Sequence, residues 1–166
     1  MRIFLKSKDK LSLQLGIGTA QFGMDYGISN QIGKTPINEL IDILDFAKEN
    51  NICLLDTAVT YGDSESILGS LISKKHNFRI ITKTPAFRKR RLTHQDADTL
   101  KLSFYKSLEK LKQPKIAGLL IHHADDLLND GGELLFIAMQ ALKKDKLVEK
   151  IGVSIYTGEQ IDLLLE

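Results

Sequence analysis

The chain has 166 residues, of which 43% are hydrophobic and 27% are charged, and its formal net charge at pH 7 is +2. This composition is ordinary for a soluble globular domain with one core, and so small a net charge indicates neither a nucleic-acid partner nor a membrane surface. The N-terminal segment lacks the apolar core of a signal peptide, and no apolar run approaches the ~18 residues of a membrane span. We therefore expect a cytoplasmic protein.

Two local features qualify this picture. Residues 88–91 read RKRR, but no aromatic residues interleave with the charges, so a solvated loop is favoured over a nucleic-acid patch. That loop follows a predicted strand, where it could also attract an anionic cofactor or substrate. Cys53 is the only cysteine, which excludes an internal disulfide and gives no indication of a cysteine-based zinc site.

The chain begins with two alternating apolar and polar segments, 2–5 and 11–15, which predict a short hairpin. A glycine-rich strand, Gly16 to Ala20, and a long loop over 20–35 follow it. Thr35 and Pro36 have the residue types of an N-cap and a first helical position. Apolar spacing then predicts helices over 36–50, 64–73, 95–112 and 133–144, with a fifth beginning near Glu159.

Between the helices lie short apolar runs over 52–56, 78–82, 116–121 and 151–153. Apolar strands that alternate with amphipathic helices predict an α/β fold with a parallel sheet buried on both faces. The strands end at polar residues, and such ends meet at one edge of a parallel sheet, where ligands bind. These residues are Thr19, Asp56, Lys83, His122 and Ser154.

The segment 54–65, LLDTAVTYGDSE, adds a tyrosine to this edge, because Tyr61 follows Asp56 by five residues. An ammonium beside a phenol favours loss of the phenol's proton. A carboxylate would hold that ammonium in place, and a histidine could donate a hydrogen bond to a carbonyl oxygen. Asp56, Tyr61, Lys83 and His122 together therefore predict general-acid catalysis of a carbonyl reduction, with the hydride supplied by a cofactor.

Five segments resemble, in order, the motifs of the aldo/keto reductases. They are GIGTAQFG at 16–23, DTAVTYGDSE at 56–65, ITKT at 81–84, LIH at 120–122 and IGVS at 151–154. The resemblance implies a (β/α)8 TIM-barrel type fold, with the hairpin over 1–15 as a plug at the bottom of the barrel. It implies reduction of an aldehyde or ketone with NADPH or NADH, without metal.

By this resemblance Tyr61 is the general acid, Asp56 and Lys83 tune it, and His122 orients the substrate carbonyl. The resemblance also implies cofactor contacts at Gly18, Thr19, Ala20, Asp56 and Ser154. One departure is visible, because Ile155 stands where many members have an asparagine that holds the nicotinamide carboxamide.

Length is the second departure, since a (β/α)8 barrel needs ~250 residues and this chain supplies about five βα units. We expect residues 1–166 to form a single, C-terminally incomplete domain, a fragment with little activity that self-associates through open sheet edges. Two alternatives remain open at this point. One is a non-enzymatic binding or regulatory module, and the other is a complete five-stranded domain of flavodoxin type.

Overall fold

A computed structural model of the chain describes residues 15–72 and 77–165. The predicted hairpin lies outside these residues, apart from Leu15, which belongs to no strand. The described residues contain one five-stranded sheet. Its strands are β1 (Gly16–Gly18), β2 (Leu54–Asp56), β3 (Arg79–Lys83), β4 (Ile116–Ile121) and β5 (Val148–Val153).

The sheet is parallel throughout, and each strand pairs with the strand that follows it in the chain. This order, β1-β2-β3-β4-β5, is that of the wall of a (β/α)8 barrel. A flavodoxin-type domain has a reversal of strand order, which is absent from the sheet of the described residues. The prediction of a barrel-type α/β fold is therefore confirmed, and the flavodoxin alternative is wrong.

Helices connect the strands and cover one face of the sheet. The prediction of a sheet buried on both faces is therefore wrong for the inner face, where Leu54, Ile81 and Leu120 are only half-buried. The helices are α1 (Ala20–Gly23), α2 (Ile37–Glu49), α3 (Ser64–Leu71), α4 (His94–Leu111), α5 (Asp125–Leu128), α6 (Gly132–Lys144) and α7 (Glu159–Leu165). The four-residue helices α1 and α5 were not predicted, because so short a segment shows no apolar period.

The start of α2 also differs from the prediction. Pro36 has the extended conformation, with φ −60° and ψ 147°, and is the N-cap residue in place of Thr35. Its carbonyl oxygen accepts the backbone N–H of Leu40. The helix therefore begins at Ile37, one residue later than the Thr-Pro pair suggests.

The core lies between the sheet and the helices. Leu55, Ile80, Leu119 and Ile121 point from the strands into this layer, and each is at most 2% exposed. Successive strand residues point to opposite faces, so their neighbours face the inner side of the sheet. The alternation therefore places the charged residues that end β2 and β3 on that inner side, at the carboxyl edge.

Helices α3 and α4 approach each other closely at Gly69. A Cβ added to Gly69 would lie 2.0 Å from the carbonyl oxygen of Lys110 and 2.9 Å from the Cα of Leu111. Only glycine allows this contact between the two helix backbones. The contact fixes α3, and with it the turn that precedes α3.

Candidate active site

The five polar strand ends lie at the same edge of the sheet, as predicted. Asp56 ends β2 and Lys83 ends β3, while Thr19, His122 and Ser154 directly follow β1, β4 and β5. Backbone hydrogen bonds continue the sheet one residue further at both sides of this group. The N–H of Thr19 donates to the Asp56 carbonyl oxygen at 2.9 Å, and that of Ser154 donates to the carbonyl oxygen of Ile121 at 2.8 Å.

Lys83 is the centre of the hydrogen-bond network at this edge. Its Nζ donates to both carboxylate oxygens of Asp56, at 2.8 and 2.7 Å, and to the carbonyl oxygen of Thr57 at 3.0 Å. It also lies 3.3 Å from the hydroxyl oxygen of Tyr61. The Lys83 side chain is 7% exposed and that of Asp56 is 40% exposed, so this ion pair is buried on one side only.

Tyr61 is placed by a tight turn that packs against α1. The turn closes through hydrogen bonds from Tyr61 N to the Ala58 oxygen and from Ser64 N to the Tyr61 oxygen. Gly62 adopts φ +56°, and a Cβ on it would lie 2.3 Å from the carbonyl oxygen of Gly23. Two glycines in contact thus allow the turn to approach α1, which leaves the Tyr61 side chain half-buried beside Lys83.

His122 completes the predicted group of four. Its ring meets the Tyr61 ring edge-on, with centroids 6.0 Å apart and planes at 86°. Its Nδ1 lies 3.3 Å from Oγ1 of Thr60. Burial, followed by the positive charge of Lys83, holds the pKa of His122 below its ordinary value of 6.5, and the imidazole is therefore neutral at neutral pH.

A donor at Thr60 would select one tautomer of this neutral ring. If the Thr60 hydroxyl donates to Nδ1, the ring proton is on Nε2. The Nε2–H group is then free to donate a hydrogen bond to a bound molecule. This is the protonation state that hydrogen bonding to a carbonyl oxygen requires.

The residues predicted to contact a cofactor fall into two groups. Gly18 is exposed, and a Cβ on it would meet no atom within 4 Å, so open space lies above the end of β1. Ser154 is half-buried at the end of β5. Thr19 and Ala20, by contrast, are buried, and the Thr19 hydroxyl donates to the Asp56 carbonyl oxygen at 3.0 Å.

Thr19 belongs to a buried cluster of hydroxyl groups that the sequence analysis did not identify. Ser64 Oγ lies 2.8 Å from Thr19 Oγ1 and 3.1 Å from Thr57 Oγ1. All three residues are 0% exposed. The cluster joins the residues after β1 and β2 to the first residue of α3, so it supports the turn that carries Tyr61.

Tyr26 is a further residue of the site that the sequence analysis missed. Its ring centroid is 6.4 Å from that of Tyr61, and 56% of the residue is exposed. Gln21 and Asn30 donate side-chain hydrogen bonds to its carbonyl oxygen. Asn30 also accepts the N–H of Gly33, and an asparagine between glycines was the available signal for an ordered loop.

Two other findings bear on the chemistry of the described residues. No group of three or more His, Cys, Asp or Glu side chains among them is arranged to hold a metal ion. Within the same residues, no helix combines the length and the apolar character that crossing a membrane requires.

Solved structures with the same fold include several aldo-keto reductases. The Pseudomonas aeruginosa protein PA4992, described as a candidate aldo-keto reductase, is 28% identical with a TM-score of 0.73, and the match covers 91% of this chain and 59% of that protein. The Bombyx mori aldo-keto reductase in complex with NADP is 23% identical with a TM-score of 0.66, and the match covers 91% of this chain and 49% of that protein. The glycerol dehydrogenase of Gluconobacter oxydans is also 23% identical with a TM-score of 0.66, and the match covers 90% of this chain and 47% of that protein.

The chain thus spans about half to three fifths of the length of the solved structures that it matches. A comparison with curated protein sequences gives no significant match. The model of the aldo/keto reductase family matches residues 14–166, which is nearly the whole chain. The protein therefore belongs to the aldo/keto reductase family.

Proposed function

We propose that this site reduces an aldehyde or ketone to an alcohol, with NADPH or NADH as the hydride donor and Tyr61 as the general acid. The observation that carries the proposal is the contact between Lys83 Nζ and the Tyr61 hydroxyl oxygen at 3.3 Å. Because an ammonium group can only donate, the Tyr61 oxygen accepts this bond. The phenol's own proton is then free to be donated toward the open edge.

Proton transfer from Tyr61 balances the addition of hydride to the carbonyl carbon. As negative charge develops on the carbonyl oxygen, the Tyr61 O–H bond breaks and the proton joins that oxygen to give the alcohol. The nearby Lys83 ammonium stabilises the phenolate that remains. Asp56, which holds Lys83 with both carboxylate oxygens, keeps the ammonium in position, and water returns the proton to Tyr61.

Neutral His122 would position the substrate. Its Nε2–H can donate a hydrogen bond to the same carbonyl oxygen that receives the Tyr61 proton. Two donors at one oxygen orient the carbonyl and stabilise the charge that develops on it. The edge-on contact of the two rings supports a shared target.

The residues at the ends of β1 and β5 fit the nicotinamide end of the cofactor. The open space above Gly18 leaves room for a flat ring beside Asp56, and the Ser154 hydroxyl could bind a carboxamide. When bound, the cofactor supplies the hydride that no side chain can supply. Because Thr19 and Ala20 are buried, we propose that they shape this edge through the backbone instead of contacting the cofactor with their side chains.

The test is the substitution Tyr61→Phe, which removes the proton donor and keeps the ring. We expect the rate of aldehyde reduction to fall about 10²- to 10⁴-fold, the usual contribution of general acid catalysis. NADPH binding, followed by the fluorescence of the reduced nicotinamide, should change little. Tyr105→Phe is the matched control, because Tyr105 is an exposed residue of α4 and its hydroxyl should not affect the rate.

Two results would contradict the proposal. One is reduction that continues at the wild-type rate in Tyr61→Phe. The other is a folded wild-type chain that neither binds NADPH or NADH nor reduces any aldehyde. That second result would agree with the expectation, stated from length, that this chain has little activity on its own.

A further inference from the structure

The loop between β3 and α4 contains four cationic residues that the proposed reaction does not use. The loop leaves the carboxyl end of β3 after Lys83, so it starts at the edge where the proposed site lies. It contains Arg88, Lys89, Arg90 and Arg91, all of which are exposed. The question is whether these charges are solvated or whether one of them is positioned for binding.

Asp126 holds this loop against the segment that follows β4. Its carboxylate is 0% exposed, and its two oxygens accept the backbone N–H groups of Phe87 at 2.9 Å and Arg88 at 2.8 Å. The N–H of Asp126 in turn donates to the carbonyl oxygen of His123. One buried side chain therefore ties the Arg88 backbone to the turn directly after His122.

The same contact keeps Arg88 in an uncommon conformation. Its φ is +52°, a left-handed value that costs free energy for a residue with a side chain. Such conformations persist where the surrounding structure imposes them, and they concentrate at functional sites. The two hydrogen bonds to Asp126 are the part of the structure that imposes this one.

The charges of the loop are not equivalent. Lys89 pairs with Asp96, and Arg91 pairs with Asp130 at 3.4 Å. Within residues 15–72 and 77–165, no ion pair joins Arg88 or Arg90 to an acidic side chain, and both oxygens of Asp126 accept backbone N–H groups. The positive charge of Arg88 is also among the causes that lower the pKa of His122, so its field reaches the site.

We propose that Arg88 binds an anionic group, a carboxylate or a phosphate, on the substrate whose carbonyl is held by Tyr61 and His122. The inference rests on the proposed function and names its substrate class. A guanidinium binds either anion through two parallel N–H bonds. A backbone tied down by Asp126 fixes the point on the rim from which the Arg88 side chain extends. Lys89 and Arg91 pair with carboxylates, and of the two arginines that remain, Arg88 is the one whose charge is among the causes that lower the pKa of His122.

The first experiment compares two aldehydes of equal chain length, succinic semialdehyde and butanal, with wild type, Arg88→Gln and Arg90→Gln. Glutamine keeps a long polar side chain and tolerates the left-handed backbone as arginine does. In Arg88→Gln we expect KM for succinic semialdehyde to rise about 10- to 100-fold, the loss of a charge-assisted hydrogen bond. KM for butanal and for NADPH should stay the same, and Arg90→Gln should behave as wild type.

A second measurement does not depend on turnover. Succinate is titrated into each protein while the His122 ring protons are followed by NMR. Wild type and Arg90→Gln should show saturable shifts, and Arg88→Gln should bind succinate at least about 10-fold more weakly. This measurement decides the inference even if the chain reduces no aldehyde, so failure of the proposed function and failure of the anion site are distinguishable.

Three outcomes would overturn the inference. One is equal weakening in Arg88→Gln and Arg90→Gln, which would mean a diffuse charge effect. Another is a rise of KM for NADPH with both aldehydes, which would assign Arg88 to a phosphate of the cofactor. The third is succinate binding that does not change in Arg88→Gln.

Discussion

Among the single residues of the site, His122 is affected electrostatically by Lys83. Lys83 is buried and charged, and its only acidic partner in the described residues is Asp56. His122 follows the neighbouring strand β4 at the same edge, and the Lys83 charge disfavours its protonation. A neutral donor and a cationic donor can therefore coexist in one small site.

This coupling gives a prediction for the titration of His122. We expect its NMR titration midpoint in the wild-type protein to lie below 6.5, the ordinary value. Lys83→Met removes a positive neighbour and frees Asp56, and both changes favour the imidazolium. The midpoint should therefore rise, and the expected direction is toward or above the ordinary value.

Lys106→Met is the control for this titration, because Lys106 is an exposed residue of α4 and should leave the midpoint unchanged. A midpoint that is insensitive to Lys83→Met would contradict the coupling.

The same lowered pKa also makes the free energy of unfolding depend on pH. Between pH 6.5 and the lower pKa of His122 in the folded protein, the unfolded chain binds more protons than the folded chain does. The contribution of His122 to stability is therefore lost as the pH falls through that window.

Some site residues could be predicted from the sequence because their signal is local. Asp56 and Lys83 each end an apolar run, and that pattern places a charged group at a strand end. Asp126 and Tyr26 gave no such signal. Asp126 acts on backbone groups 38 and 39 residues away, and the position of Tyr26 depends on a loop closed by Asn30. Contacts between distant parts of the chain leave no periodic pattern in the sequence.

On the scale of helices and strands, the long helices could be predicted from the sequence, but the short helices and the close contacts between helices could not. The long helices α2, α4 and α6 each carry an apolar stripe, which locates them to within a residue or two. The short helix α5 has no such stripe, and it contains Asp126, whose carboxylate binds backbone N–H groups of another loop. The contact of α3 with α4 depends on the missing side chain at Gly69, which in the sequence appears only as a weak helix former.

The close contact of α3 and α4 predicts that Gly69→Ala destabilises the protein, although alanine is the better helix former. A methyl group 2.0 Å from the Lys110 carbonyl oxygen forces the two helices apart. We expect the free energy of unfolding to fall by about 1–3 kcal/mol, the usual cost of overpacking. Urea denaturation followed by circular dichroism measures this change.

Ser66→Ala is the matched variant for that experiment, since Ser66 is an exposed residue of the same helix. There the higher helix propensity of alanine acts alone, so stability should be equal or slightly greater. If Gly69→Ala were as stable as Ser66→Ala, the close approach of the two helix backbones would be disproved.

Across the whole molecule, one face of the sheet is covered and the other is open. The inner face carries Leu54, Ile81 and Leu120, which are half-buried and line a cavity of about 690 Å³. Within residues 15–72 and 77–165, β1 and β5 each pair on one side only. An open apolar face between two strand edges is a surface on which proteins associate.

We therefore predict that the chain self-associates. Sedimentation velocity over about a hundredfold range of concentration should show a rising weight-average mass, because association depends on concentration. Leu120→Glu places a charge on the inner face and should reduce the association. Leu102→Glu on the exposed side of α4 is the control and should not, while a monomer at every concentration would refute the prediction.

The enclosure of Lys83 also decides which covalent chemistry the site avoids. A lysine forms an imine with an aldehyde only when its nitrogen lone pair is free to attack the carbonyl carbon. The nitrogen of Lys83 instead directs its hydrogens to Asp56, to the Thr57 carbonyl oxygen and to Tyr61. An aldehyde held at Tyr61 would thus lie beside a primary amine and still not be captured as a Schiff base.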